Sequence, residues 1–215
     1  MLVLAYQFMA ECPSTFLKEV MDLFSLTALE ICEGQQMDME FEQRNDVTAE
    51  EYLEMIRLKT AVLLAASLKI GARLGGASVE DADRLYDFGM HIGVAFQLKD
   101  DLLDVYGNAK VFGKNIGGDI LCNKKTYMLI KALEHANADQ HNQLNSWINA
   151  ETFQPAEKIA AVTELYDRIG VKAVCENKIL EYSNWAMESL AAVSIAEEKK
   201  EELKKIIENL IHREV

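Results

Sequence analysis

The chain has 215 residues, half of them hydrophobic, with 22 basic and 35 acidic side chains and a net charge of −13. That length supports one sizeable core, and the acidic balance disfavours nucleic acid or an anionic membrane surface as a partner. Four scattered cysteines (Cys12, Cys32, Cys122 and Cys175) without a CxxC pair indicate neither a zinc site nor a disulfide framework, and predict reduced cytosolic thiols.

Only Pro13 and Pro155 interrupt a composition rich in Leu, Ala, Glu, Lys, Met and Ile, which predicts an all-α fold. Residues 1–10 and 14–33 read as two deeply buried helices broken at Pro13, with Ser14 as N-cap. The apolar start is too short to span a bilayer and lacks the charged leader of a secretory signal, so no integral membrane segment is predicted. An acidic segment, 36–46, follows. Thr48 and Glu51 then form a capping box that opens a helix to about Leu74.

Gly75 and Gly76 end that helix, and Ser78 with Asp81 starts the next, which runs through Tyr106 to Gly107. At 1.5 Å per residue it is about 40 Å long. Gly89 and Gly93 share a face and permit close approach by a helix backbone or a flat ligand. Residues 107–122, GNAKVFGKNIGGDILC, form a glycine-rich loop carrying lysines. Further helices are predicted at about 123–136, 155–169, 170–193 and 196–213, the last charged and amphipathic.

The richest chemistry lies around residues 93–127. Asp100 and Asp104 are four residues apart on one helical face, with Asp101 beside them and Gln97 one turn earlier. Such an acidic edge repels itself unless it is solvated or neutralised, and a divalent cation is an efficient neutraliser. Joined to lysine-bearing glycine turns, it suits a metal-bridged phosphate ester. Taken alone, DDLLD is more often a solvated helix face, Lys59 a snorkelling surface lysine, and Gly117–Gly118 an ordinary turn. His91, His135, His141 and His212 read as ordinary surface or core residues, and without a Glu-x-x-His pair a di-iron bundle is disfavoured.

Taken in order, four motifs resemble those of the trans-isoprenyl diphosphate synthases, or polyprenyl synthetases. FQxxDDxxD is Phe96, Gln97, Asp100, Asp101 and Asp104; GKxxGxD with K-x-T-Y is Gly113, Lys114, Gly117, Gly118 and Asp119, then Lys124, Thr126 and Tyr127. Upstream, G-Q-x-x-D and K-T are Gly34, Gln35 and Asp38, then Lys59 and Thr60. The resemblance implies a bundle of long antiparallel helices and a Mg²⁺-dependent condensation of isopentenyl diphosphate with an allylic prenyl diphosphate, in a homodimer. Short-chain products, farnesyl or geranylgeranyl, are favoured.

It further implies that Asp100, then Asp104 and in part Asp101, hold the metal, and that Lys59, Lys114 and Lys124 bind the allylic diphosphate. Thr60 and Gln97 would lie beside the developing carbocation, Phe96 would line the isopentenyl pocket, and Gln35, Asp38 and Asp119 would orient waters or lysines behind them. The family's first aspartate-rich motif, its paired arginines and the N-terminal isopentenyl clamp do not occur in these 215 residues. The match begins midway through the family fold, so 1–215 reads as a single isoprenoid synthase domain lacking its N-terminal helices, with negligible turnover alone. Two other readings remain open: a noncatalytic synthase-like subunit, and a class I terpene cyclase.

Overall fold

With so few helix breakers, the chain folds as a succession of helices. In this computed structural model residues 1–107 and 116–211 are described, and no strand occurs among them. The helices are α1 Leu2–Ala10, α2 Ser14–Phe41, α3 Ala49–Ile56, a π-helical turn Arg57–Ala61, α4 Val62–Leu74 and α5 Val79–Tyr106. After α5 come α6 Gly118–Leu121, α7 Tyr127–His135, α8 Ala138–Ile148, α9 Pro155–Ile169, α10 Val171–Ala191 and α11 Glu197–Ile211. None of these helices is long and apolar enough to cross a membrane.

The sequence signals for two starts hold. Thr48 and Glu51 form the reciprocal capping box of α3, and the Ser78 hydroxyl accepts the Asp81 N–H at the head of α5. Helix α5 is central, packed against α4 on one side and α10 on the other. Gly89 and Gly93 serve the helix–helix contact: a Cβ on Gly93 would lie 2.5 Å from Ala61 Cα, and one on Gly89 2.7 Å from Ala65 Cα.

Several expectations are corrected. Pro13 itself is the N-cap of α2, and Ser14 is its first helical residue, with no side-chain capping bond. The acidic segment from residue 36 is helical as far as Phe41, because Phe41 packs into the core, Gln36 bonds Glu40 one turn on, and Asp38 pairs with Lys59. Nor are the first two helices deeply buried. Helix α1 buries no residue and α2 only Val20, Thr27, Gly34 and Phe41, a single seven-residue stripe against the π-turn and α4. Apolar side chains on the other faces, among them Phe8, Leu26, Leu29 and Met39, are exposed.

The helix predicted from 123 starts only at Tyr127, since Thr126 is its N-cap and Asn123 has a positive φ of 53°. Helix α8 has no counterpart in the sequence reading. Its Asn137–Gln140 capping box is a usable signal, but Leu144 is its one buried residue, which leaves almost no apolar period to detect.

Candidate active site

Four segments supply the candidate residues: the end of α2, the π-turn, the C-terminal half of α5, and the stretch from Gly117 to Lys124. A π-turn inserts one extra residue per turn and is often found where a helix must re-aim side chains. Here it carries Lys59 and Thr60. Gly34 lets it sit tight against α2, since a Cβ there would come within 2.5 Å of the Lys59 backbone nitrogen.

On this turn Lys59 Nζ lies 2.6 Å from Asp38 Oδ2, and the Thr60 hydroxyl donates to Gln97 Oε1 at 3.3 Å. Gln35 is exposed one turn before Asp38. Across on α5, Asp100 and Asp104 are half-buried, one turn apart. Asp104 also organises the next segment: its Oδ2 accepts the Asp119 N–H at 2.9 Å and its backbone carbonyl accepts the Gly117 N–H at 2.6 Å. Gly117 has φ 81°, and a Cβ there would strike Ile159 at 2.7 Å, so glycine is required on both counts.

Lys124 closes the arrangement, its Nζ 3.8 Å from Asp119 Oδ1. Burial lowers the lysine pKa, but the charges of Asp119, Asp101, Asp38 and Asp104 outweigh it and hold the pKa above the ordinary value. The structure therefore brings Lys59, Lys124, Asp38, Asp119, Asp101 and Asp104 to one acidic, lysine-bearing centre. Lys114 lies outside the described residues.

Asp101 differs from its neighbours. It is buried, its Oδ2 accepts the Tyr52 hydroxyl and its Oδ1 accepts the Gln97 amide at 3.1 Å. Both oxygens are thus engaged by protein donors. Burial pushes this carboxyl up to about 7, against the Tyr52 hydrogen bond, the Lys124 charge and the Gln97 amide, which pull it down, while Asp119 adds to the rise. Because Asp101 takes the Gln97 amide protons, the Gln97 carbonyl oxygen is left facing Thr60.

The motifs do not single out Tyr52. The available signal is spacing: it stands seven residues, two helical turns, before Lys59 in the same apolar run. Replacing it, Tyr52→Phe, removes the hydroxyl from a buried carboxylate and is expected to cost about 1–3 kcal/mol. For a chain of this size that is a melting temperature lower by about 2–4 °C per kcal/mol. A melting curve superimposable on that of the wild type would show that the hydroxyl does not hold Asp101.

The Asp38–Lys59 ion pair links the walls of two clefts, Asp38 lining one and Lys59 the other. One, of about 620 Å³, is polar, with Asp38, Gly118, Asp119, Asn123, Lys124 and Lys125 in its wall. The other, of about 1040 Å³, starts at Lys59 and Thr60 and continues between Leu64, Phe88, Ile92 and Phe96, with Leu203 and Ile206 of α11 facing them. A charged head with an apolar tail fits this pairing. Among the described residues no three His, Cys, Asp or Glu side chains converge closely enough to chelate a bare metal ion.

A profile of the polyprenyl synthetase family matches residues 1–166. The chain is 37% identical over 201 residues to a short chain isoprenyl diphosphate synthase of Methanothermobacter thermautotrophicus, covering 94% of this chain and 61% of that protein. A solved geranylgeranyl pyrophosphate synthase superposes with a TM-score of 0.93 at 36% identity, over 100% of this chain and 66% of the other. The Pyrococcus horikoshii geranylgeranyl pyrophosphate synthetase gives 0.85 at 28% identity, over 95% and 61%. The chain thus spans about three fifths of the length of such relatives, and with most of its residues matched by the profile and the fold reproduced, it belongs to the polyprenyl synthetase family.

Proposed function

We propose that this chain carries the allylic-diphosphate half of a prenyltransferase site, in one isoprenoid synthase domain. The reaction joins isopentenyl diphosphate to an allylic diphosphate with Mg²⁺, releasing pyrophosphate and a prenyl diphosphate one isoprene unit longer. The observation that carries this reading is Lys59, which pairs with Asp38 of the carboxylate–lysine centre and also lines the apolar cleft. Short-chain products are favoured, since relatives are named as short chain and geranylgeranyl synthases. A cytoplasmic location and a homodimer are part of the proposal, and the exposed apolar side chains Leu26, Leu29 and Met39 on α2 support the dimer.

The donor chemistry fits magnesium. Every side chain at the acidic edge offers hard oxygen, and Mg²⁺ is commonly held by one or two carboxylates together with substrate phosphates. Asp100 and Asp104 would hold the ion, which supplies charge neutralisation for the departing pyrophosphate.

The chain's own residues do the remainder. Lys59 and Lys124 bind the diphosphate oxygens, with Lys114 as a third cation. Asp38 and Asp119 hold the ammonium groups in place. Thr60 and Gln97 present fixed oxygen dipoles, which stabilise positive charge developing at the allylic carbon without offering a strong nucleophile. Gln97 keeps that orientation through Asp101, itself anchored by Tyr52, so Asp101 supports the site from within. Phe96 and the apolar wall exclude water from the carbocation.

The test is Mg²⁺-dependent binding of an allylic diphosphate to the 215-residue chain by calorimetry. Binding is expected with Mg²⁺ and not after its removal with EDTA. An isotherm without heat in either condition would overturn the assignment.

A further inference from the structure

Lys158 is a charged residue that the site has not used. It lies on α9, is 1% exposed, and no carboxylate accompanies it among the described residues. Its Nζ donates to Asn123 Oδ1 at 2.7 Å and sits 4.3 Å from the centroid of the Phe153 ring. Burial lowers its pKa. An unpaired buried ammonium costs folding free energy, so its position calls for a compensating role.

Its partner indicates that role. Among the described residues Asn123 alone has a positive φ without being glycine. Its side-chain amide is held at both ends, Oδ1 by Lys158 and Nδ2 by donation to the Ile148 carbonyl at 2.9 Å. The next residue is Lys124. Its N–H donates to the Asp119 carbonyl at 2.9 Å and its carbonyl accepts the Thr126 N–H at 2.8 Å, so its backbone follows the turn that Asn123 sets. A left-handed asparagine is tolerated but seldom preferred, and the two side-chain bonds favour it here.

We infer that Lys158 and Asn123 form a lock that positions Lys124 for the diphosphate, with Lys158 acting as a positioning residue from outside the site. The inference rests on the reading of Lys124 as a diphosphate ligand, and the experiment separates the two. Inorganic pyrophosphate with Mg²⁺ is titrated into the wild-type chain and into Lys124→Ala, Lys158→Met and Lys158→Met/Lys124→Ala. Amide hydrogen exchange at Lys124 is followed without ligand.

Lys158→Met is expected to weaken binding about fivefold, the worth of one hydrogen bond. It should cause no further loss once Lys124 is gone, because residues acting through one another are non-additive. The Lys124 amide should exchange faster in Lys158→Met, while the melting temperature stays level or rises with removal of the buried charge. Asn123→Gly keeps the turn accessible but removes both bonds, and should reproduce the loss if the methionine variant folds poorly. Equal losses with and without Lys124, or unchanged affinity and amide exchange, would overturn the lock. An unchanged affinity in Lys124→Ala would instead reject Lys124 as ligand, and a wild-type chain that binds no pyrophosphate would reject the reading of the site, with amide exchange still reporting on the lock.

Discussion

Asp100→Ala/Asp104→Ala is expected to lower Mg²⁺-dependent affinity for an allylic diphosphate at least 100-fold. Each carboxylate contributes a charge-assisted contact, worth about 1.5–3 kcal/mol apiece, and two together exceed the 2.7 kcal/mol or so that corresponds to that factor. Asp104 also accepts the Asp119 N–H and so holds the head of α6, which makes Asp104→Ala lower the melting temperature as well, by the few degrees that about 1 kcal/mol represents. Asp100→Ala should weaken binding as well. Calorimetry with and without Mg²⁺ measures the first effect and thermal melting the second. Affinity of the double variant within threefold of wild type would remove these two carboxylates from the proposed metal site.

A second large effect is expected in the packing. Gly34→Ala and Gly93→Ala should each destabilise the protein by roughly 3 kcal/mol, the upper end for overpacking. In both the added Cβ meets atoms that cannot rotate away: the Lys59 backbone nitrogen at 2.5 Å from Gly34, and Ala61 Cα at 2.5 Å from Gly93. Gly71→Ala is the internal control. It lies on α4, where an added methyl would meet nothing within 4 Å, and should stabilise by about 0.5–1 kcal/mol through helix propensity. The opposite signs decide the matter in thermal melts. Should all three alanines raise the melting temperature, close approach at the π-turn is not what selects glycine there.

The coupling of packing to site follows from where those contacts fall. Gly34 and Gly93 press on the π-turn from two sides, and that turn carries Lys59 and Thr60. A methyl at either position shifts the backbone on which the diphosphate and carbocation contacts depend. Loss of affinity beyond that explained by unfolding is therefore expected for Gly34→Ala in particular, since Asp38, the partner of Lys59, lies one turn further along the same helix.

Much of this is legible in residue order. The starts of α3 and α5 are marked by side chains that cap within four residues, an interaction local enough to read without a fold. The motif residues are also legible, because acids and lysines spaced by whole turns carry their chemistry with them. The extent of α2 is not. Its last turn looks like an acidic linker until Phe41 meets the core and Asp38 meets Lys59, twenty-one residues away. The exposure of α1 and α2 is equally hidden, since an apolar helix reads alike whether or not anything covers it.

Helical character, the acidic edge from Asp100 to Asp104 and the family resemblance thus come from residue order, because periodicity and side-chain chemistry are local properties. Folding alone assigns Asp101 to the interior under Tyr52, forty-nine residues distant, turns the Gln97 oxygen toward Thr60, and sets Lys59 both against Asp38 and in the wall of the apolar cleft. Neighbouring carboxylates on one helix are chemically equivalent until packing desolvates one fully and leaves the others half-buried. That difference depends on what the rest of the chain brings against each face.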